Sequence, residues 1–230
     1  MVRITGFVRK GRFECIPDEQ GFLEEIRLTT IAPQNAILPE TAELNLKDLE
    51  GRLIRVEGEM QGEWLYSARL VSAQHFRANV GVVLINRHGE VLAAERRVKG
   101  SGEWQMVQGG INEMEEPRQA AERELMEEVG LGTQHTEFLG EYPDWLAYEL
   151  PAEARKAKLG RGQVQKWFLV RFTGKDEDID LFKYARRQGK KPEFGAWKWV
   201  PLRQLAKETW EVRRNTYEKL ASYFRDYLKE

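Results

Sequence analysis

Glu124, Glu127 and Glu128 stand at i, i+3 and i+4, which puts three carboxylates on one helix face within a single turn. Like charges at that spacing repel by about 0.3 kcal/mol per pair in water, and partial burial raises the cost. They belong to the stretch GGINEMEEPRQAAERELMEEVG, residues 109–130, which holds seven glutamates. An ordinary solvated helix spreads its acids into i,i+4 ion pairs. Here they gather on one side, a Gly-Gly pair precedes them, and Arg123 alone cannot neutralise three. Clustered oxygen donors with room left for water suit a hard divalent cation, Mg²⁺ or Mn²⁺. Such an ion acidifies a bound water, so that a nucleophile exists near neutral pH. A carboxylate not engaged with the ion can accept the water's proton. Residue types do not say which glutamate is that base.

The element that must hold these acids is marked at both ends. Pro117 suits a first helical turn, where its missing N–H costs nothing, and Glu115 and Glu116 lie where the helix dipole favours negative charge. Gln119 to Val129 are strong helix formers, and Gly130 is a natural stop. Ala121, Leu125 and Val129, at i, i+4 and i+8, supply a buried stripe.

Around that helix the chain of 230 residues is 41% apolar, with seven Trp and ten Phe, enough for a packed core and against global disorder. The formal net charge of −1 gives no overall attraction to nucleic acid or membrane, so an anionic partner needs a local patch. The single cysteine, Cys15, excludes an intramolecular disulfide framework, no apolar run approaches membrane-spanning length, and a cytoplasmic protein is expected. The pattern changes near residue 76. Residues 1–75 carry short strand-like runs, VRITGFVRK, RFECIP, GRLIRVEGEM and EWLYSARLVSA, with PETAELNLKDLEG as a brief irregular connection. This suggests a small all-β domain, OB-like in pattern. Trp64 and Tyr66 either pack in its core, the stronger reading, or stack bases, with Arg3, Arg9, Lys10 and Arg12 available to phosphates. The domain could guide RNA, mediate dimerisation or cover a site. Residues 76–230 mix helices and strands: NVGVVLINRHGEVLAAERR as a hairpin, QKWFLVRFTG as a buried strand, EFGAWKWV as an alternating one. A closing helical run over LRQLAKETWEVRRNTYEKLASYFRDYLKE puts Leu220, Tyr223, Phe224 and Tyr227 on one face.

Gly109, Glu115 after five residues, and RELMEEVGL from Arg123 to Leu131 after seven more fit G-x5-E-x7-R-E-U-x-E-E-x-G-U at every position, and so the chain resembles the Nudix family. The resemblance implies an α/β/α sandwich in which this box forms a loop-helix-loop. It also implies divalent-metal hydrolysis of a nucleoside diphosphate linked to another moiety. Glu124, Glu127 and Glu128 would then be the metal-binding, catalytic acids, with Gly109 at the metal site. Glu115 would pair with Arg123 in a structural role.

The segments RANVGVVLIN (77–86), WQMVQGGIN (104–112), WLAYELP (145–151), GQVQKWFL (162–169) and KPEFGAWKWV (191–200) are similar to one branch of the family. That branch holds bacterial RNA 5′-pyrophosphohydrolases and plant-type diadenosine polyphosphate hydrolases. It implies that Glu193 is a further catalytic and metal-site carboxylate rather than a plain turn residue after Pro192, and that Tyr148 contacts a base or phosphate. Gln163, Gln165 and Lys166 lie beside a buried-looking strand, where polar groups need partners, either a substrate or ordinary core hydrogen bonds. Arg96, Arg97 and Lys99 form a basic run before the Gly-Gly loop and could meet phosphates or only water. Two departures stand out. Val107 replaces the branch's usual proline before QGG, and Met114 replaces a glycine, which strains the loop if that position needs a positive φ. The expected partner is a nucleotide substrate, a dinucleoside polyphosphate or an RNA 5′ end. The rival reading is a catalytically silent, nucleotide-sensing module, which degraded box glutamates would betray; all are intact.

Overall fold

Apolar alternation in the first fifteen residues folds as a hairpin: β1, Val2–Arg9, pairs antiparallel with β2, Arg12–Cys15. Lys10 and Gly11 both have positive φ, 52° and 71°, the pair that a tight two-residue hairpin turn requires. The structure is a computed structural model. It describes residues 1–15, 26–35, 38–97, 102–112, 115–155 and 160–229. Two units make up the chain. The first is Met1–Ala78 with Pro143–Trp145 and Glu149–Val164; the second is Asn79–Tyr142, Leu146–Tyr148 and Gln165–Glu230.

In the first unit, β3 is Arg27–Leu28, β4 is Arg52–Gln61 and β5 is Trp64–Ile85. β4 pairs antiparallel with β1 and with β5, while β3 runs parallel to the start of β5. Val8, Phe13, Leu28, Ile54, Val56 and Leu65 fill the core. The PETAELNLKDLEG connection is two short 3-10 turns, Pro39–Ala42 and Lys47–Leu49. Trp64 and Tyr66 are buried, and the Arg27 guanidinium lies 4.1 Å from the centre of the Trp64 ring. These rings pack rather than stand free for stacking. Two later segments complete the unit. Trp145 packs on Phe7 with ring centres 5.6 Å apart and donates its indole N–H to Glu14, and Phe76 bridges Gly160.

The second unit takes the end of β5 and adds β6, Val91–Arg96, β7, Trp104–Gln105, and β8, Val107–Gly110, before helix α1, Pro117–Val129. Then come β9, Thr136–Glu141, β10, Leu146–Glu149, and β11, Gly162–Phe172, of which Glu149 and the residues up to Val164 fall in the first unit, and after them the short α2, Lys183–Gln188, and β12, Phe194–Val200. The Asn86–Glu90 turn between β5 and β6 is closed by Asn86, whose side-chain oxygen accepts the N–H groups of His88 and Glu90. β8 pairs with β5, β12 and β7 with β6, and β9 with β11, all antiparallel. Side chains alternate along β5. Val80, Val82 and Leu84 join Ala121, Leu125 and Val129 of α1, whereas Val83 and Ile85 join a second cluster with Leu202, Leu205, Tyr217 and Leu220. A sheet with helices on both faces results.

The C-terminal run is not one helix. It breaks at Thr209–Trp210 into α3, Leu202–Glu208, and α4, Glu211–Tyr223. The expected face also needs correcting. Leu220 and Phe224 are buried, but Tyr223 and Tyr227 are exposed. α4 buries Arg213, Thr216, Tyr217, Leu220 and Ala221, a stripe that leaves Tyr223 outside, and it ends at Tyr223, so Tyr227 falls in a 3-10 turn off the series. Among the described residues no helix is long and apolar enough to cross a membrane.

Candidate active site

Helix α1 is fixed at both ends by its own sequence. Glu116 forms a reciprocal capping box with Gln119, whose Oε1 accepts the Glu116 N–H at 3.1 Å, and Pro117 occupies the first turn. Gly130 closes the helix in the left-handed region. The buried face holds Ala120, Ala121, Leu125 and Val129, and with them two acids, Glu124 at 8% and Glu128 at 7% exposure. Those two carboxylates look onto β8. The Gln108 N–H donates to Glu128 Oε2 at 3.2 Å. Gly109 lies so close to the Glu124 carboxylate that a Cβ there would overlap it, so only glycine lets this acid sit against the strand.

Arg123 ties the loop to the helix. Its Nε and Nη2 fork onto the Glu115 carboxylate at 2.8 and 3.0 Å, Nη2 also donates to the Gly110 carbonyl at 2.6 Å, and Nη1 reaches Glu124 Oε1 at 2.6 Å. Glu127 is partly exposed, 3.7 Å from Arg123 Nη1. Glu193, just before β12, accepts the Arg97 N–H on its carbonyl at 2.9 Å, and its carboxylate pairs with Arg96 Nη2 at 3.1 Å.

The charges of these groups meet. Burial pushes Glu128 well above the usual carboxylate range, with the Glu193 and Glu124 charges adding and the Gln108 N–H opposing. Burial also raises Glu124; Arg123 works against that shift, and Glu127 and Glu193 reinforce it. Among the described residues no three acidic, histidine or cysteine side chains converge into a formed metal cluster. Arg123 engages Glu124 and Arg96 engages Glu193. The donor set nonetheless fits a hard divalent cation: all oxygens, two of the acids buried, and both of these raised further by the Glu193 charge.

The remaining sequence candidates are spread out. Tyr148 is buried, its phenol driven up by burial and hydrogen-bonded to Gln108. Gln165 donates to Gln108 Oε1 at 3.2 Å, an ordinary core partner. Lys166 pairs with Glu141 at 3.3 Å. Gln163 is buried and belongs to the N-terminal unit. Lys99 and Met114 lie outside the described residues, the expected strain at Met114 with them. Tyr184 and Gln108 are among the residues that escape sequence reading. Tyr184, on α2, hydrogen-bonds Glu127, whose charge raises its phenol. Gln108, inside the quoted QGG, proves to be the hub between Glu128, Gln165 and Tyr148. Only its place in that segment could have pointed to it.

Residues 75–220 match the NUDIX domain. This chain belongs to the Nudix family. It is a Nudix hydrolase, and its box is the loop and helix just described. An RNA pyrophosphohydrolase of Cereibacter sphaeroides is 40% identical over 156 residues, covering 66% of this chain and 93% of that one. Nudix hydrolase 26, chloroplastic, of Arabidopsis thaliana is 41% identical over 160 residues, 67% of this chain and 71% of that one. Among solved structures, the E. coli dihydroneopterin triphosphate pyrophosphohydrolase aligns with a TM-score of 0.50 at 22% identity, over 63% of this chain and 95% of that one. That likeness speaks to the Nudix fold alone.

Proposed function

We propose that this Nudix hydrolase cleaves a phosphoanhydride bond in the 5′-polyphosphate of an RNA chain, with dinucleoside polyphosphates as the neighbouring substrate class. The observation that carries the reading is the pair of buried acids, Glu124 and Glu128, held against Gly109 and the Gln108 N–H and electrostatically coupled to Glu193. Relatives of about 40% identity named RNA pyrophosphohydrolase support putting RNA before the dinucleotide. Nudix hydrolases generally use Mg²⁺ or Mn²⁺. Glu124, Glu127, Glu128 and Glu193 would hold the ion beside Gly109, and when bound it neutralises the phosphate chain and acidifies a water. The chain's own groups do the rest. Gln108 fixes Glu128, and Arg123 and Glu115 keep the loop on the helix. Burial and neighbouring acids raise Glu128 and Glu124, a cost of ionisation that a divalent cation would offset. Arg96 and Arg97 would meet phosphate oxygens, with Tyr148 and Lys166 of the same unit as further substrate contacts. A silent sensor is not favoured, since every box acid is present.

An OB-like barrel is the reading we favour for the N-terminal unit, supported among the described residues by β1, β2, β4 and β5 as antiparallel neighbours and β3 parallel to β5. A cytoplasmic setting belongs to the same reading, with Cys15 free and buried. The test is product analysis with Mg²⁺ on 5′-triphosphate RNA and diadenosine tetraphosphate in parallel. Pyrophosphate and 5′-monophosphate RNA are expected. ATP and AMP from the dinucleotide alone would remove RNA from the reading, and no turnover of either would overturn it.

A further inference from the structure

Residues 104–110 change partners within one short stretch. Trp104 and Gln105 pair with Glu95 and Ala94 of β6, and Val107 to Gly110 pair with β5 from Val82 to Asn79. Met106, between them, belongs to neither ladder. It is fully buried, where an N–H without an acceptor is strongly disfavoured. Its acceptor is the hydroxyl of Tyr217, 3.0 Å away on α4 and itself fully buried. One turn earlier on α4, the buried Arg213 forms an ion pair with Glu103, while the Glu103 carbonyl accepts the Arg96 N–H at 2.9 Å. Helix α4 therefore grips this segment at residues 103 and 106. N–H groups two residues apart on a strand point the same way. The next one along that edge, from Gln108, goes to Glu128, and Gly109 abuts Glu124.

We propose that Tyr217 is a positioning residue for the hydrolytic site: its hydroxyl sets the place of Met106, and through the strand the placement of Glu128 and Glu124. The inference rests on the reading of those two acids as the metal-binding centre. The ring itself packs edge-on against Trp167, with centres 5.8 Å apart, and a phenylalanine would do that equally well. What the hydroxyl adds is the acceptor for an N–H that no strand satisfies.

Tyr217→Phe keeps the ring and removes the acceptor. Mn²⁺ titration followed by electron paramagnetic resonance, with kcat and KM measured beside it, is expected to show metal binding weakened about tenfold and kcat reduced, with far-UV circular dichroism unchanged. Leu220→Ala, a cavity in the same helix, is the comparison: it is expected to lower the thermal midpoint without moving the Mn²⁺ midpoint. A Tyr217→Phe protein with wild-type Mn²⁺ binding and kcat, or one shifted no more than Leu220→Ala, beside a Glu128→Gln protein that loses Mn²⁺, would overturn the inference alone. Wild-type Mn²⁺ binding by Glu128→Gln would overturn the reading of the site and this inference together.

Discussion

Gly109 is the residue at which backbone and chemistry meet, because the Glu124 carboxylate occupies the space a Cβ would take. Gly109→Ala should push that carboxylate aside and reduce kcat/KM about a hundredfold while the circular dichroism spectrum stays put; an alanine variant with normal turnover would show that Glu124 need not sit there. Cys15 is a second single-residue case. Burial pushes its thiol up to about 11, with a backbone hydrogen bond from Ile26 opposing. At a pH of about 8 little thiolate exists, so a thiol reagent should label the folded protein far more slowly than the denatured one, and labelling should quicken as pH rises toward the folded value. Equal rates for folded and denatured protein would refute the burial. The acids of α1 were legible in the sequence because helical spacing alone brings Glu124 and Glu128 to one side. Tyr184 and Tyr217 were not, since their partners arrive from distant strands and helices, and no local pattern marks a tyrosine as an acceptor for the Met106 N–H.

Helix α1 is legible at its ends because Pro117 and Gly130 act within one turn, whereas the Glu116–Gln119 box shows only in the structure. Gly130→Ala tests the C-terminal stop. With φ at 75° and a Cβ 2.8 Å from the Asp180 carbonyl, alanine is expected to destabilise the protein by about 1–2 kcal/mol, read from the urea midpoint. An unchanged midpoint would mean the helix end relaxes freely. The C-terminal helices were less readable. Periodicity ran through Thr209–Trp210 without a proline or glycine to stop it, and the break follows from packing: α3 and α4 each bury a separate stripe against the sheet. Arg213, a charged residue on the buried face, is the kind of side chain that hides such a stripe from a hydropathy pattern.

For the whole molecule, the change in pattern near residue 76 signalled two parts, but nothing in the sequence indicated that residues 149–164 pack with the N-terminal strands. Such membership is decided by contacts like Phe76 with Gly160 and Trp145 with Phe7, which join residues far apart in sequence. Removing residues 1–75 should therefore expose that segment, and trypsin should cut after Arg155 or Arg161 much faster than in the full chain. An unaltered digestion pattern would show the segment to be held by other means. The relation of the N-terminal unit to substrate choice can be read from the same truncated chain, by comparing its rates on RNA and on dinucleotide. On the proposed reading, the acids behind the Gly-Gly strand are the hydrolytic centre. The most direct test of that reading is Mg²⁺-dependent pyrophosphate release from 5′-triphosphate RNA by the wild type and by Glu127→Gln, each checked by circular dichroism. Release by the wild type, and at least about a hundredfold less by a folded Glu127→Gln, is the expected result. Silence from the wild type, or undiminished release by the variant, would contradict it.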